Sequence, residues 1–328
     1  MRGWHLAHRL VAVLAAGTAA FAVHGWSAPV SRQPVVLVIP PGADASSVAE
    51  RLHRHGLVRS PAAFRLLARW QGLDGRIQAG EYRFSGGESM GAILRRLAAG
   101  DVIRHRLVLP EGLSARELAR RLQEQRVVEA EAFLAEVRRA HRYWIPQMEG
   151  NTTGSVEGYL FPDTYEFPRG YSADRVVAAM VARFHEATAP LWSLARPFGL
   201  SPHQVVTLAS LVEREARHDG ERARIAGVLY NRLRLGMPLQ VDATVLYALG
   251  QHKERVLYRD LEVDSPYNTY RRVGLPPGPI ANPGLASLLA ALQPEAHDYL
   301  YYVARPDGTH VFSRSLAEHE RARKALQK

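Results

Sequence analysis

Apolar positions along the chain fall into short runs of two kinds. Val35 to Ile39 is β-branched and apolar, closed by Pro40-Pro41-Gly42, and predicts a strand and a turn. Residues 44–55 carry Val48, Ala49 and Leu52 at helical spacing, with Gly56 as a stop. Pro61 then opens a second helix through Phe64, Leu67 and Ala68, and Ala79 to Phe84 predicts another strand. Strand, helix, helix, strand makes a compact unit. It recurs 70 residues on, where Leu107-Val108-Leu109-Pro110-Glu111-Gly112 matches Leu37-Val38-Ile39-Pro40-Pro41-Gly42. Leu118, Ala119 and Leu122 then stand for Val48, Ala49 and Leu52, and Phe133 falls near the place of Phe64. Glu157-Gly158-Tyr159-Leu160-Phe161 echoes the closing strand, so residues 107–167 read as a second copy of a small module.

From Ser172 the period becomes helical. Val176, Val177, Met180, Val181 and Phe184 share one face, and Ser201-Pro202 is a good cap for a helix through residues 207–217. Further helices are predicted over 221–235, 244–249 and 284–292, with a strand pair around the Asp307-Gly308 turn. The expected class is α+β: a membrane segment in residues 1–31, a βααβ unit in 32–105, and a helix-rich domain with a small sheet in 106–328.

The membrane segment rests on charge. Arg2, His5, His8 and Arg9 precede an uncharged run over 10–23 that continues to Trp26, and no further Lys or Arg occurs before Arg32. That asymmetry keeps the N-terminus inside and exports the rest. The run fits a signal-peptide core cleaved after Trp26-Ser27-Ala28, and with its flanks it also suffices for an anchor. The absence of cysteine excludes disulfides, thiolate metal sites and cysteine nucleophiles. A net charge of +10 permits an anionic partner, but the basic residues are spread out and match no nucleic-acid motif. The 14 histidines show no metal-ligand spacing on a helix, so no metal or other cofactor is expected.

Candidate chemistry concentrates in T-L-A-S-L-V-E-R-E-A-R, residues 207–217. Helical spacing puts both Glu213 and Glu215 on the flanks of an apolar face and does not choose between them. A carboxyl group in such a setting can be held protonated at neutral pH and work as a general acid. Downstream, residues 240–244, 265–270 and 274–284 are dense in turn formers and polar side chains. Tyr267 and Tyr270 offer aromatic faces, while Gln240, Asn268 and Asn282 offer donors and acceptors, a set suited to a sugar.

The segments L-A-S-L-V-E-R-E, V-L-Y-N-R-L-R-L-G-M-P-L-Q-V-D-A-T-V-L-Y, S-P-Y-N-T-Y, G-L-P-P-G-P-I-A-N-P-G and E-G-Y-L-F-P-D-T-Y resemble the YceG-like family of endolytic murein transglycosylases. The first βααβ unit is also similar to LysM modules, which bind glycans containing N-acetylglucosamine. The resemblance implies cleavage of β-1,4 bonds between N-acetylmuramic acid and N-acetylglucosamine within nascent peptidoglycan strands, without water and without a cofactor, so that strand growth ends. It implies Glu213 as the acid/base, and Asn231 and Asp242 as family-matched positions of the site. Glu157 is either a polar group at the cleft or a strand-edge acid. It further implies an uncleaved inner-membrane anchor, a periplasmic catalytic domain, and peptidoglycan synthases as partners. The competing expectation is a non-catalytic, membrane-anchored wall-binding adaptor.

Overall fold

A computed structural model describes residues 33–194, 199–250 and 256–326. The expected anchor in residues 1–31 lies outside them. Among the described residues no helix is long and apolar enough to cross a membrane. The described residues form two compact units, one of residues 33–105 with Glu166–Tyr171, the other of Arg106–Tyr165 with the described residues from Ser172 to 326.

In the first unit β1 (Val35–Ile39), α1 (Ala45–Arg54), α2 (Pro61–Trp70) and β2 (Gly80–Phe84) follow in the expected order. β1 pairs antiparallel with β2, from Val35 opposite Phe84 to Ile39 opposite Gly80. Alternation along β1 sends Leu37 and Ile39 inward and leaves Val36 and Val38 exposed. The Asp44 carboxylate accepts from the Ser47 amide and Ser60 caps α2, which fixes where both helices start. Their apolar stripes meet Tyr82 and Phe84 in one core. A helix absent from the sequence reading, α3 (Met90–Ala99), closes that core with Ile93, Leu94 and Leu97.

The second unit repeats this beginning. β3 (His105–Leu109) is followed by α4 (Ala115–Glu124) and α5 (Ala130–Val137), and Phe133 is fully buried as Phe64 is. The repeat then departs from expectation. Glu157 to Phe161 is a buried turn, and the closing strand β4 is Asp163–Phe167, paired with β3. Gly158 sits at φ +88°, and a Cβ there would run into the Pro279 ring, so this segment bends where Gly80-Glu81-Tyr82 extends.

Next come α6 (Ala173–Thr188), α7 (Pro202–Glu215), α8 (Arg222–Arg234), α9 (Asp242–Leu249) and α10 (Leu285–Leu292). Ser201 and Gln204 form a capping box that starts α7, with Pro202 in its first turn. Packing against α8, α9 and α10 encloses α7 on nearly every side, so it is a core helix more than the amphipathic one its pattern suggested. The Tyr230 hydroxyl donates to the Ala291 carbonyl at 2.8 Å, tying α8 to α10. The chain finishes with the hairpin β5 (Tyr301–Ala304) and β6 (His310–Ser313), turned at Gly308, and with α11 (Leu316–Leu326).

Candidate active site

Helix α7 ends at Glu215, and Ala216 leaves in extended geometry. This last residue faces a groove of about 580 Å³ whose walls include Gln240, Asp242, Tyr270 and Tyr302. The Tyr302 hydroxyl, from β5, donates to Glu215 Oε2 at 2.9 Å. Burial pushes the Glu215 carboxyl up to about 7, and Asp242 adds to this, while the Tyr302 bond and Arg214 pull the other way. A carboxyl group poised there can both give and take a proton near neutral pH.

The groove is held open by a buried arginine. Arg232 of α8 donates through Nε to the Leu300 carbonyl at 2.6 Å and through Nη1 to the carbonyls of Pro238 and Leu239, both at 3.0 Å. The same Nη1 reaches Gln240 Oε1 at 3.1 Å. Gln240 has φ +55°, a conformation non-glycine residues rarely adopt, and its amide donates to the Thr269 carbonyl. Asp242 accepts from the Tyr270 hydroxyl at 2.5 Å. One arginine thus binds the start of the hairpin to the stretch carrying Gln240 and Asp242.

Glu213 is placed differently from the expectation attached to it. Backbone closes around its side chain. Glu213 Oε2 accepts the Gly284 amide at 3.1 Å, its Cγ lies against Gly112, and Arg222 Nη2 is 3.5 Å from Oε1. Its side chain is 6% exposed and is not among the residues that line the Glu215 groove. Burial and the adjacent Glu213 push the Glu111 carboxyl up, so two acids and Arg222 meet at the start of α10. That is a clamp between three segments.

The other candidates divide the same way. Gln240, Asp242 and Tyr270 line the groove, and Glu157, Asn231, Tyr267 and Asn268 do not. Glu157 is buried. It accepts the Ala115 amide at 2.9 and 3.0 Å, the Asn282 side-chain amide at 3.0 Å and the Tyr247 hydroxyl at 3.4 Å. Burial pushes its carboxyl up to about 7 against those donors. Asn231 donates to the carbonyls of His297 (2.7 Å) and Tyr299 (3.0 Å), shaping the approach to β5. Tyr267 packs on Tyr247 with ring centroids 4.9 Å apart. Asn268 is fully buried and bridges the Leu261 and Val263 carbonyls. Asn282 Oδ1 accepts the amides of Gly158 and Leu160, both at 2.9 Å, so the loop around it is an internal brace.

A second cavity of about 710 Å³ is lined by His203, Thr207 and Gly274 to Pro277. It is larger but contains no carboxyl group, and burial lowers His203 toward its neutral form. Size therefore does not choose between the two; the acid does. Sequence reasoning missed Tyr302, Arg232 and the wall from α11. For Tyr302 a signal was present in the tyrosine-rich stretch 299–302, just before the hairpin turn.

Comparison with known proteins agrees with this architecture. A family model described as the YceG-like family matches residues 37–325. The chain belongs to the YceG-like family. A Bacillus subtilis (strain 168) relative named endolytic murein transglycosylase is 36% identical over 306 residues, covering 89% of this chain and 85% of that protein. A Streptococcus pneumoniae (strain D39) protein of the same name is 29% identical over 320 residues, covering 89% of this chain and 58% of its own length. A crystal structure of a putative YceG-like protein from Listeria monocytogenes superposes with a TM-score of 0.61 at 33% identity. It covers 89% of this chain and 100% of its own. For this YceG-like chain the mixed, helix-rich α+β class is accordingly that of a solved relative.

Proposed function

We propose that the chain is an endolytic murein transglycosylase, cleaving the β-1,4 bond between N-acetylmuramic acid and N-acetylglucosamine inside glycan strands. The observation that carries the reading is Glu215, a carboxyl group raised to about 7 at the wall of a groove furnished with Tyr270, Gln240 and Asp242. Family membership and the names of the relatives support the reaction class.

In this reading Glu215, which lines the groove, takes the acid/base role that the resemblance gave to Glu213. Protonated Glu215 gives its proton to the glycosidic oxygen as the bond from that oxygen to the muramyl C1 breaks. The resulting carboxylate takes the proton of the muramyl C6 hydroxyl, whose oxygen bonds to C1 and closes a 1,6-anhydro ring. No water enters, and the internal hydroxyl is already in reach, so a single alternating acid suffices where hydrolases need two. Asp242, held by Tyr270, supplies negative charge for the cation developing at C1.

The same reading has the apolar run at residues 10–23 retained as an inner-membrane anchor and the rest in the periplasm. It treats the βααβ unit as a LysM-like glycan contact and puts the enzyme beside peptidoglycan synthases, where cutting ends strand growth. Digestion of purified peptidoglycan followed by mass spectrometry tests the assignment. Wild type and Glu213→Gln are expected to yield anhydromuramyl ends and Glu215→Gln none. Loss in Glu213→Gln with retention in Glu215→Gln returns the role to Glu213, and no anhydro product from wild type favours a binding adaptor.

A further inference from the structure

The groove beside Glu215 has a second wall that the acid chemistry does not use. Arg214, Arg217, Arg232 and Arg323 all line it, against Asp242 and Glu320, with Glu215 held toward its neutral form. Only part of that positive charge is met within the protein. Arg214 lies 3.7 Å from Glu117 and donates to the Gly112 carbonyl at 2.8 Å. Arg232 is buried, yet it donates to three carbonyls and the Gln240 amide oxygen, and no carboxylate lies within ion-pair distance among the described residues. Neither Arg217 nor Arg323 has a carboxylate partner among the described residues.

His319 of α11 lines the same wall, its ring stacked on Tyr301 at 5.4 Å. Its Nδ1 is buried and is the one buried side-chain nitrogen or oxygen among the described residues without a hydrogen-bond partner. Leaving such an atom unpaired costs free energy that a ligand would recover. With its proton on Nδ1 the His319 ring is a donor, and that donor, two guanidinium groups without a carboxylate partner among the described residues and a buried cation in one wall are complementary to an anion; guanidinium groups match a carboxylate's two oxygens.

We propose that this wall, formed by Arg217, His319 and Arg323 over Arg232, is a subsite for the carboxylate carried on the muramyl sugar's 3-substituent. It rests on the reading of the groove as a murein site. N-acetylmuramic acid differs from N-acetylglucosamine by a lactyl ether whose carboxyl group is either free or extended by a peptide with carboxylates of its own. A subsite for that group fixes which of the two alternating sugars sits over Glu215, and therefore which bond is cut.

The test is calorimetric titration of the Glu215→Gln chain with probes that hold no MurNAc–GlcNAc bond to cut. Three probes are used: GlcNAc-MurNAc, the same disaccharide carrying a tetrapeptide, and GlcNAc-MurNAc with its lactyl carboxyl capped as a methylamide. At least one charged probe is expected to bind ten-fold or more tighter than the methylamide. Adding Arg217→Ala and Arg323→Ala is expected to remove that advantage and leave methylamide binding unchanged. Comparing the two charged probes distinguishes a lactyl from a peptide carboxylate. Equal binding of all three, equal weakening of all three by the arginine substitutions, binding of none, or equal competition by inorganic phosphate overturns the subsite. Release of anhydromuramyl ends by the wild-type chain is measured alongside. Arginine-dependent binding without such release would leave the subsite standing and remove the transglycosylase reading.

Discussion

The Tyr302 hydroxyl and the Asp242 carboxylate act on Glu215 in opposite senses, and this gives a signed prediction. Cleavage needs Glu215 protonated, so kcat/KM should fall ten-fold per pH unit above a midpoint near its value of about 7. A carboxyl group at the ordinary value of 4.5 would be roughly 1 part in 300 protonated at pH 7, whereas Glu215 is about half protonated. In Tyr302→Phe the ionised form loses its donor at 2.9 Å. A hydrogen bond to a charged group is worth about 1.5–3 kcal/mol, which moves the midpoint upward by about 1–2 pH units. In Asp242→Asn the like charge that disfavours ionisation is gone, so the midpoint moves down. Initial rates of anhydromuramyl release between about pH 5 and pH 9 read both shifts. Shifts of the same sign in the two variants, or a downward shift in Tyr302→Phe, would refute Glu215 as the titrating acid. Glu215→Gln should lose about 10²–10⁴-fold in rate at every pH.

Other outcomes follow from the clamp and the brace. Glu213→Gln keeps an acceptor for the Gly284 amide but removes one of the two carboxylates beside buried Arg222, the other being Asp219, so stability should drop by about 1–3 kcal/mol in urea melts while activity per folded molecule persists. Asn282→Ala strands the amides of Gly158 and Leu160 and takes one donor each from the Leu113 carbonyl and Glu157. It should cost on the order of 3–5 kcal/mol, read as a lower denaturation midpoint. Because the folded chain holds a proton on Glu157 up to about pH 7 and the unfolded chain releases it near 4.5, stability should fall as pH rises between those values and level off above them. The Glu157 contribution to that fall is on the order of 3 kcal/mol at most. Glu157→Gln should flatten the pH dependence of the urea midpoint; an unchanged slope would show that Glu157 is not the group responsible.

Much of the fold was legible because its signals are local. The caps at Ser60 and Ser201, the proline starts at Pro61 and Pro202 and the Asp307-Gly308 turn each act within a few residues, and the elements they bound form where expected. The turn at Glu157 to Phe161 was misread because its shape is set by contact with Pro279 and Asn282, far away in the chain. Glu213 and Glu215 show the same limit at the site. Both flank an apolar face, and what separates them is that Gly112 and Gly284 close over one while Tyr302 and Asp242 stand beside the other. Gln240, Asp242 and Tyr270 were readable as polar loop groups. Arg232 was not, since an arginine on a helix reads as surface until its carbonyl partners are known.

Asn282 carries a consequence for how the molecule ages. Asparagine side chains deamidate chiefly when the next residue's backbone N–H, once deprotonated, attacks the side-chain carbonyl. Here the next residue is Pro283, whose nitrogen has no hydrogen to lose. Conversion to aspartate would replace a donor to Glu157 with a carboxylate and take from the Leu113 carbonyl one of its two donors at once. The side chain whose chemical decay would do most harm to the brace is followed by the residue that closes the main route to it.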